Sequence, residues 1–145
     1  MKLSISNIAW DKENDEAVYQ LMKKYGYTGL EIAPTRIIEK DPYDKIEEAT
    51  AWSKALHDKY GFVISSMQSI WYGRQEHIFG IDEERKALVR YTKKAIDFAS
   101  AINCHNLVFG CPKNRCINDD GDKLKGVSFF KEIGDYAYSK GTVIG

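Results

Sequence analysis

The sequence predicts an α/β chain: the N-terminal half of a (β/α)8 TIM barrel, four βα units plus the start of strand five, forming a single partial domain over residues 1–145. Three observations carry this. Short apolar strands alternate with amphipathic helices along the whole chain, a pattern that demands right-handed crossovers and a parallel sheet. Gly26, Gly61, Gly141 and the pair Ile102-Asn103 end the helices, and a strand follows each almost at once. The units recur at roughly 35 to 40 residues, too long for most solenoids and ordinary for a (β/α) barrel. Periodicity alone serves a complete five-stranded open sheet equally well. The choice falls to the last residues, where Thr142-Val143-Ile144 opens a fifth strand with no helix after it and reads as a truncation.

The elements follow in order. Lys2 to Ala9 alternates and runs into Trp10, as a short strand does. Asp11 or Asn14 can cap the next helix, whose inward side carries Ala17, Val18, Leu21, Met22 and Tyr25. Strand two spans Thr28 to Ala33. Asp41-Pro42 reads as a cap followed by proline at the first helical position, where the missing N–H costs nothing. Ile46, Ala49, Ser53, Leu56 and Tyr60 then keep helical spacing, and Phe62 to Met67 is strand three. Asp82 caps a third helix with Leu88, Tyr91, Ala95, Phe98 and Ile102 inward. Strand four is Asn106 to Phe109. A loop from Gly110 to Gly126 leads to a fourth helix bearing Val127, Phe130, Ile133, Ala137 and Tyr138.

Composition is that of a globular chain, 43% hydrophobic and 29% charged. Its 21 basic and 21 acidic residues cancel, so no global field draws it to nucleic acid or anionic lipid. No apolar run approaches the roughly 20 residues of a membrane-spanning helix, and the polar start argues against a secretory signal. Cys104, Cys111 and Cys116 are an odd set that cannot all pair internally, so the expected compartment is the cytoplasm.

In a barrel the chemistry gathers at the carboxyl ends of the strands. That rule selects Glu31, flanked by Leu30 and Ile32 and therefore turned to the barrel interior. A carboxylate there needs a cation, a metal or hydrogen bonds. It could bind substrate hydroxyls or stand behind a metal, or it could form a structural salt bridge with Lys2 or Arg36. Gln68 has an amide suited to sugar hydroxyls, or it plugs the barrel mouth. His77 is a loop histidine, a general base or ligand in one reading and a solvated residue in the other. Lys113, Asn114 and Arg115 follow Gly110 and could hold a phosphate or carboxylate, or form a solvated loop. Trp10, Trp71 and Tyr72 offer an apolar wall for a sugar ring, or pack in the core. His57 and His105 fall at the opposite end of the barrel and read as structural.

Several chemistries are missing from the sequence. Cys111 and Cys116 have no second ligand pair to complete a zinc site. There is no dinucleotide fingerprint, P-loop or G-x-S-x-G elbow. The stretches Ser4-Ile5-Ser6-Asn7-Ile8-Ala9-Trp10, Tyr27-Thr28-Gly29-Leu30-Glu31-Ile32 and Leu107-Val108-Phe109-Gly110-Cys111-Pro112-Lys113-Asn114-Arg115 resemble the xylose isomerase-like superfamily of sugar (phosphate) isomerases, epimerases and endonuclease IV-type proteins. The resemblance implies a barrel that holds a divalent metal and interconverts sugars through an enediolate. It places the four metal ligands on strands five to eight. On that reading this chain supplies no metal ligand and no catalytic residue, is inactive alone, and binds no cofactor by itself. Trp10, Glu31, Gln68, His77, Lys113, Asn114 and Arg115 are then contacts to a sugar or sugar phosphate.

A half barrel is also expected to expose two strand edges and an apolar inner face, which invite a homodimer. Two further functions stand beside the enzyme fragment: a non-catalytic module that binds a small molecule or itself, and an endonuclease IV-like nuclease. The second is disfavoured by zero net charge and only three histidines.

Overall fold

The computed structural model describes residues 2–145. Its five strands are β1 (Ser4–Ser6), β2 (Gly29–Ile32), β3 (Val63–Met67), β4 (Asn106–Leu107) and β5 (Val143–Ile144). They form one sheet in chain order, and every neighbouring pair is parallel. Chain order is what separates the two readings of the sequence. A doubly wound sheet reverses its strand order at a switch point, whereas a barrel adds each strand beside the last. The helices are α1 (Asp15–Lys24), the short α2 (Pro34–Ile37), α3 (Ile46–Tyr60), α4 (Asp82–Ala101) and α5 (Gly121–Ser139).

Register explains where the core lies. Paired residues on neighbouring strands share a face, so Ile5, Leu30 and Ile64 lie on one side, with Ile32, Met67, Leu107 and Ile144. That side packs under the helices, and Leu30, Ile32, Met67 and Leu107 are inaccessible to solvent. The other side carries Ser4, Ser6, Gly29, Glu31, Val63, Ser66, Asn106 and Val143. The expected apolar inner face is therefore corrected to a largely polar one, interrupted by Val63 and Val143 near the amino ends of their strands. A bulge adds to it. Leu30 pairs with Ile64 but Glu31 with Ser66, leaving Ser65 as the extra residue of β3. Ser65 Oγ lies 2.5 Å from Ser4 Oγ. Gly29 sits between them, and a Cβ there would meet both serine side chains at 3.1 Å.

The helices differ in detail from the periodic reading. None of Asp11, Asn14 and Asp41 forms a side-chain cap, and Asp82 is already the first helical residue, paired with Arg85. Asp41 is left-handed at φ 47, Pro42–Asp44 makes a 3-10 turn, and the helix proper waits for Ile46. A 3-10 turn over Lys12–Asn14 likewise precedes α1. The buried side of α1 falls on Tyr19 and Met22, leaving Leu21 and Tyr25 exposed. Tyr19 is drawn in by aromatic partners, with ring centroids 5.3 Å from Tyr60 and 6.0 Å from Phe62. In α5, Phe129, Ile133 and Ala137 are buried while Val127 and Tyr138 face solvent.

Phe129 is inaccessible and packs edge-on to Trp71, whereas Val127 one turn-face away is 67% exposed. Phe129→Ala is expected to lower unfolding free energy by about 3–5 kcal/mol. Val127→Ser is expected to change it by no more than about 0.5 kcal/mol, both read by urea denaturation.

Candidate functional site

At the carboxyl ends of β3 and β4 the following loops diverge and leave a cleft of about 420 Å³. Gln68, Trp71, Tyr72 and Arg74 line one side, and Val108, Cys111 and Lys113 the other. The volume falls in the range of small-molecule pockets. Two non-glycine residues at its rim are left-handed, Ser69 at φ 54 and Cys111 at φ 48. Such residues cost about 1–3 kcal/mol each and persist only where the surroundings hold them.

Asn114 does much of that holding. It is buried, and its Nδ2 donates to the carbonyls of Arg74 (3.2 Å) and Glu76 (2.8 Å). Its own carbonyl accepts the Ile78 N–H at 2.9 Å. The β4 loop is thereby stitched to the β3 loop across the cleft floor. Trp71 is anchored beneath, with its indole N–H donating to Thr92 Oγ1 at 2.8 Å and its ring edge-on to Phe109 at 4.7 Å. It forms cleft wall and core at once. Tyr72 is 71% exposed at the cleft edge.

The polar inner wall reaches the cleft through Gln68. Its Nε2 donates to Ser6 Oγ at 2.6 Å and to Glu31 Oε1 at 3.1 Å. Ser66 Oγ donates to the other Glu31 oxygen at 2.5 Å. The anticipated ion pair between Glu31 and Lys2 or Arg36 is not formed, because Arg36 turns instead to Asp15 at 2.7 Å. Glu31 is held by neutral donors.

The remaining candidates separate. Trp10 lies apart from the cleft in a rim cluster, its indole N–H donating to Asp15 at 2.7 Å and its carbonyl accepting from Arg36. Lys113 is exposed and shared between the cleft and a neighbouring depression of about 360 Å³, which also contains His77, Cys116 and Asn118. Arg115 lies over the Phe109 ring, 6.0 Å from its centroid. Gln68 and Lys113 are thus brought to one cleft with Asn114 in its floor, and His77 to its neighbour. His57 and His105 each set Nδ1 against a backbone carbonyl, Phe62 at 3.2 Å and Gly141 at 2.8 Å. Ser6 and Ser66 were not singled out by the sequence. Alternation of Ser4-Ile5-Ser6 carries a signal for the first, but the bulge that turns Ser66 inward carries none.

Among the described residues, no three His, Cys, Asp or Glu side chains converge on a point that could hold a metal ion. Glu31 alone on this stretch of wall, hydrogen-bonded to Ser66 and Gln68, does not make a metal centre. No helix of the described residues is long and apolar enough to cross a membrane.

Fold and site together define a barrel-type α/β chain with a cleft at the carboxyl ends of its strands. No family model matches the sequence, and no curated protein matches it significantly. Solved structures do. A sugar phosphate isomerase/epimerase from Parabacteroides distasonis superposes with a TM-score of 0.71 at 19% identity, over 99% of this chain and 50% of that one. D-psicose 3-epimerase from Clostridium cellulolyticum, solved with D-tagatose, gives 0.73 at 16% identity over 99% and 51%. The 3-keto-D-glucoside 4-epimerase of E. coli gives 0.68 at 20% identity over 99% and 54%. The likeness is one of fold, and it bears out the half-barrel reading: this chain spans about half the length of the structures it matches.

Two outcomes follow from the site. Asn114→Ala removes the donor to the partly buried carbonyls of Arg74 and Glu76 and is expected to cost about 1 kcal/mol, with faster hydrogen exchange at Ile78 N–H. Alkylation at pH 8, followed by mass spectrometry, is expected to reach exposed Cys116 first and half-buried Cys111 second. Cys104 reacts last, because burial pushes its thiol up to about 11 and leaves little thiolate at that pH.

Proposed function

We propose that this chain is the N-terminal portion of a sugar or sugar phosphate isomerase/epimerase and provides substrate contacts rather than the reacting groups. The observation that carries the reading is the hydroxyl- and amide-lined inner wall that opens, at Gln68, into the cleft between the β3 and β4 loops. Barrel interiors are ordinarily filled with branched aliphatic side chains. A wall of Ser4, Ser6, Glu31, Ser66 and Gln68 is instead matched to a ligand rich in hydroxyls. Gln68 would meet sugar hydroxyls, and Trp71 and Tyr72 would give the ring an apolar surface. Lys113 would take an anionic end, with Arg115 and His77 farther along the same rim. The sugars bound or transformed by the superposed epimerases support this assignment.

The divalent metal implied by the family resemblance belongs to the same proposal, with ligands outside the described residues. For the 145-residue chain by itself, pairing of two copies through the free edges of β1 and β5 is a companion proposal, read by light scattering against 16.6 kDa.

The substrate reading is tested by titrating ¹⁵N-labelled chain with a ketohexose and with its phosphate ester. Shifts are expected at Gln68, Val108, Gly110 and Lys113. Lys113→Ala is expected to weaken the phosphate ester roughly tenfold and leave the neutral sugar unchanged, as loss of one charge-assisted hydrogen bond requires. Absence of any shift at the cleft with either compound would falsify the reading.

A further inference from the structure

Gln68 has two hydrogen-bonding ends, and only one is engaged within the chain. The two Nε2 protons meet two acceptors, Ser6 Oγ and Glu31 Oε1. Its Oε1 accepts nothing from the described residues and is not among the buried atoms lacking a partner, while the residue lines the cleft. An amide's orientation is dictated by the chemistry of its neighbours. Ser6 is a hydroxyl and can serve either end, as donor to the oxygen or acceptor from the nitrogen. Glu31 cannot. An ionised carboxylate only accepts, so a reversed Gln68 would set oxygen against oxygen and lose a charge-assisted hydrogen bond. Ser66 Oγ donates to the second carboxylate oxygen and leaves the one that faces Gln68 to the amide.

We infer that Glu31 is a positioning residue that locks the Gln68 amide with Oε1 toward the cleft, making Gln68 an acceptor that selects a ligand hydroxyl. The inference rests on the sugar-binding reading of the cleft and narrows it. At the β3 wall the ligand must bring a donor, so a carboxylate or phosphate oxygen is refused there, and an anionic end is directed to the Lys113 side. Glu31 then acts through Gln68, one of its oxygens accepting from Gln68 Nε2 and the other from Ser66 Oγ.

The test follows the Gln68 side-chain amide in ¹⁵N-labelled chain, alone and with D-fructose. In the wild type its two protons should be protected from exchange with water, and the signal should shift on adding the sugar. Glu31→Gln offers a neighbour that can donate or accept, so protection should fall roughly tenfold and the sugar should bind roughly tenfold more weakly. Ser66→Ala keeps the Glu31–Gln68 bond and should leave Gln68 protected, which separates positioning from a general loosening of the wall. Equal protection in wild type and Glu31→Gln would overturn the positioning role. Protection that depends on Glu31, with no monosaccharide shifting Gln68, would leave the positioning in place and overturn the sugar reading on which the hydroxyl selection rests.

Discussion

Parallel pairing in register is the constraint on which the rest of this molecule depends. The first three strands each carry an aliphatic and a largely polar face, and register aligns them so that Ile5, Leu30 and Ile64 share a side and Ser4, Ser6, Glu31 and Ser66 share the other. The aliphatic side recruits the helices because burial of branched side chains is the dominant favourable term. The polar side is left with hydroxyls, the amides of Gln68 and Asn106 and one carboxylate, which satisfy each other, water or a ligand. A one-residue slip in any pair would exchange the two faces. Core and site are therefore consequences of one alignment.

The bulge at Ser65 refines that alignment where it matters. One additional residue in β3 presents Ser65 and Ser66 to the interior in succession, the first toward Ser4 and the second toward Glu31. Without it the residue opposite Glu31 would be Ser65, and Gln68 would not meet Ser6 and Glu31 together. Bulges recur beside functional sites because they re-aim side chains at little cost to the ladder. Here the bulge connects the lower wall of the barrel to its mouth.

The mouth itself is held by means unlike those of the wall. Asn114 ties two loops through their backbones, and Trp71 fastens the cleft to the aromatic cluster of Phe109, Phe129 and Phe130. Left-handed Ser69 and Cys111 are tolerated within this frame. Rigid support beneath and exposed polar groups above are what a small-molecule site requires. Solved isomerases and epimerases at 16% to 20% identity share this fold.

The sequence by itself determined the half-barrel architecture, the approximate limits of most strands and of α3 and α4, and the strand-end positions of Glu31 and Gln68. Those features rest on local periodicity and on glycines such as Gly61 and Gly141, which adopt a positive φ at little cost for want of a Cβ. Only the tertiary structure decided that Glu31 binds Ser66 and Gln68 in place of Arg36, that Asn114 joins two loops, that Trp10 stands apart, and that Tyr19 and Phe129 belong to the core. The inner face was likewise misjudged from sequence, because its character follows from which residues of separate strands lie side by side. Partners 35 to 62 residues apart, as in the Glu31, Ser66, Gln68 and Ser6 network, are set by register and by one bulge, and neither leaves a local mark in the chain.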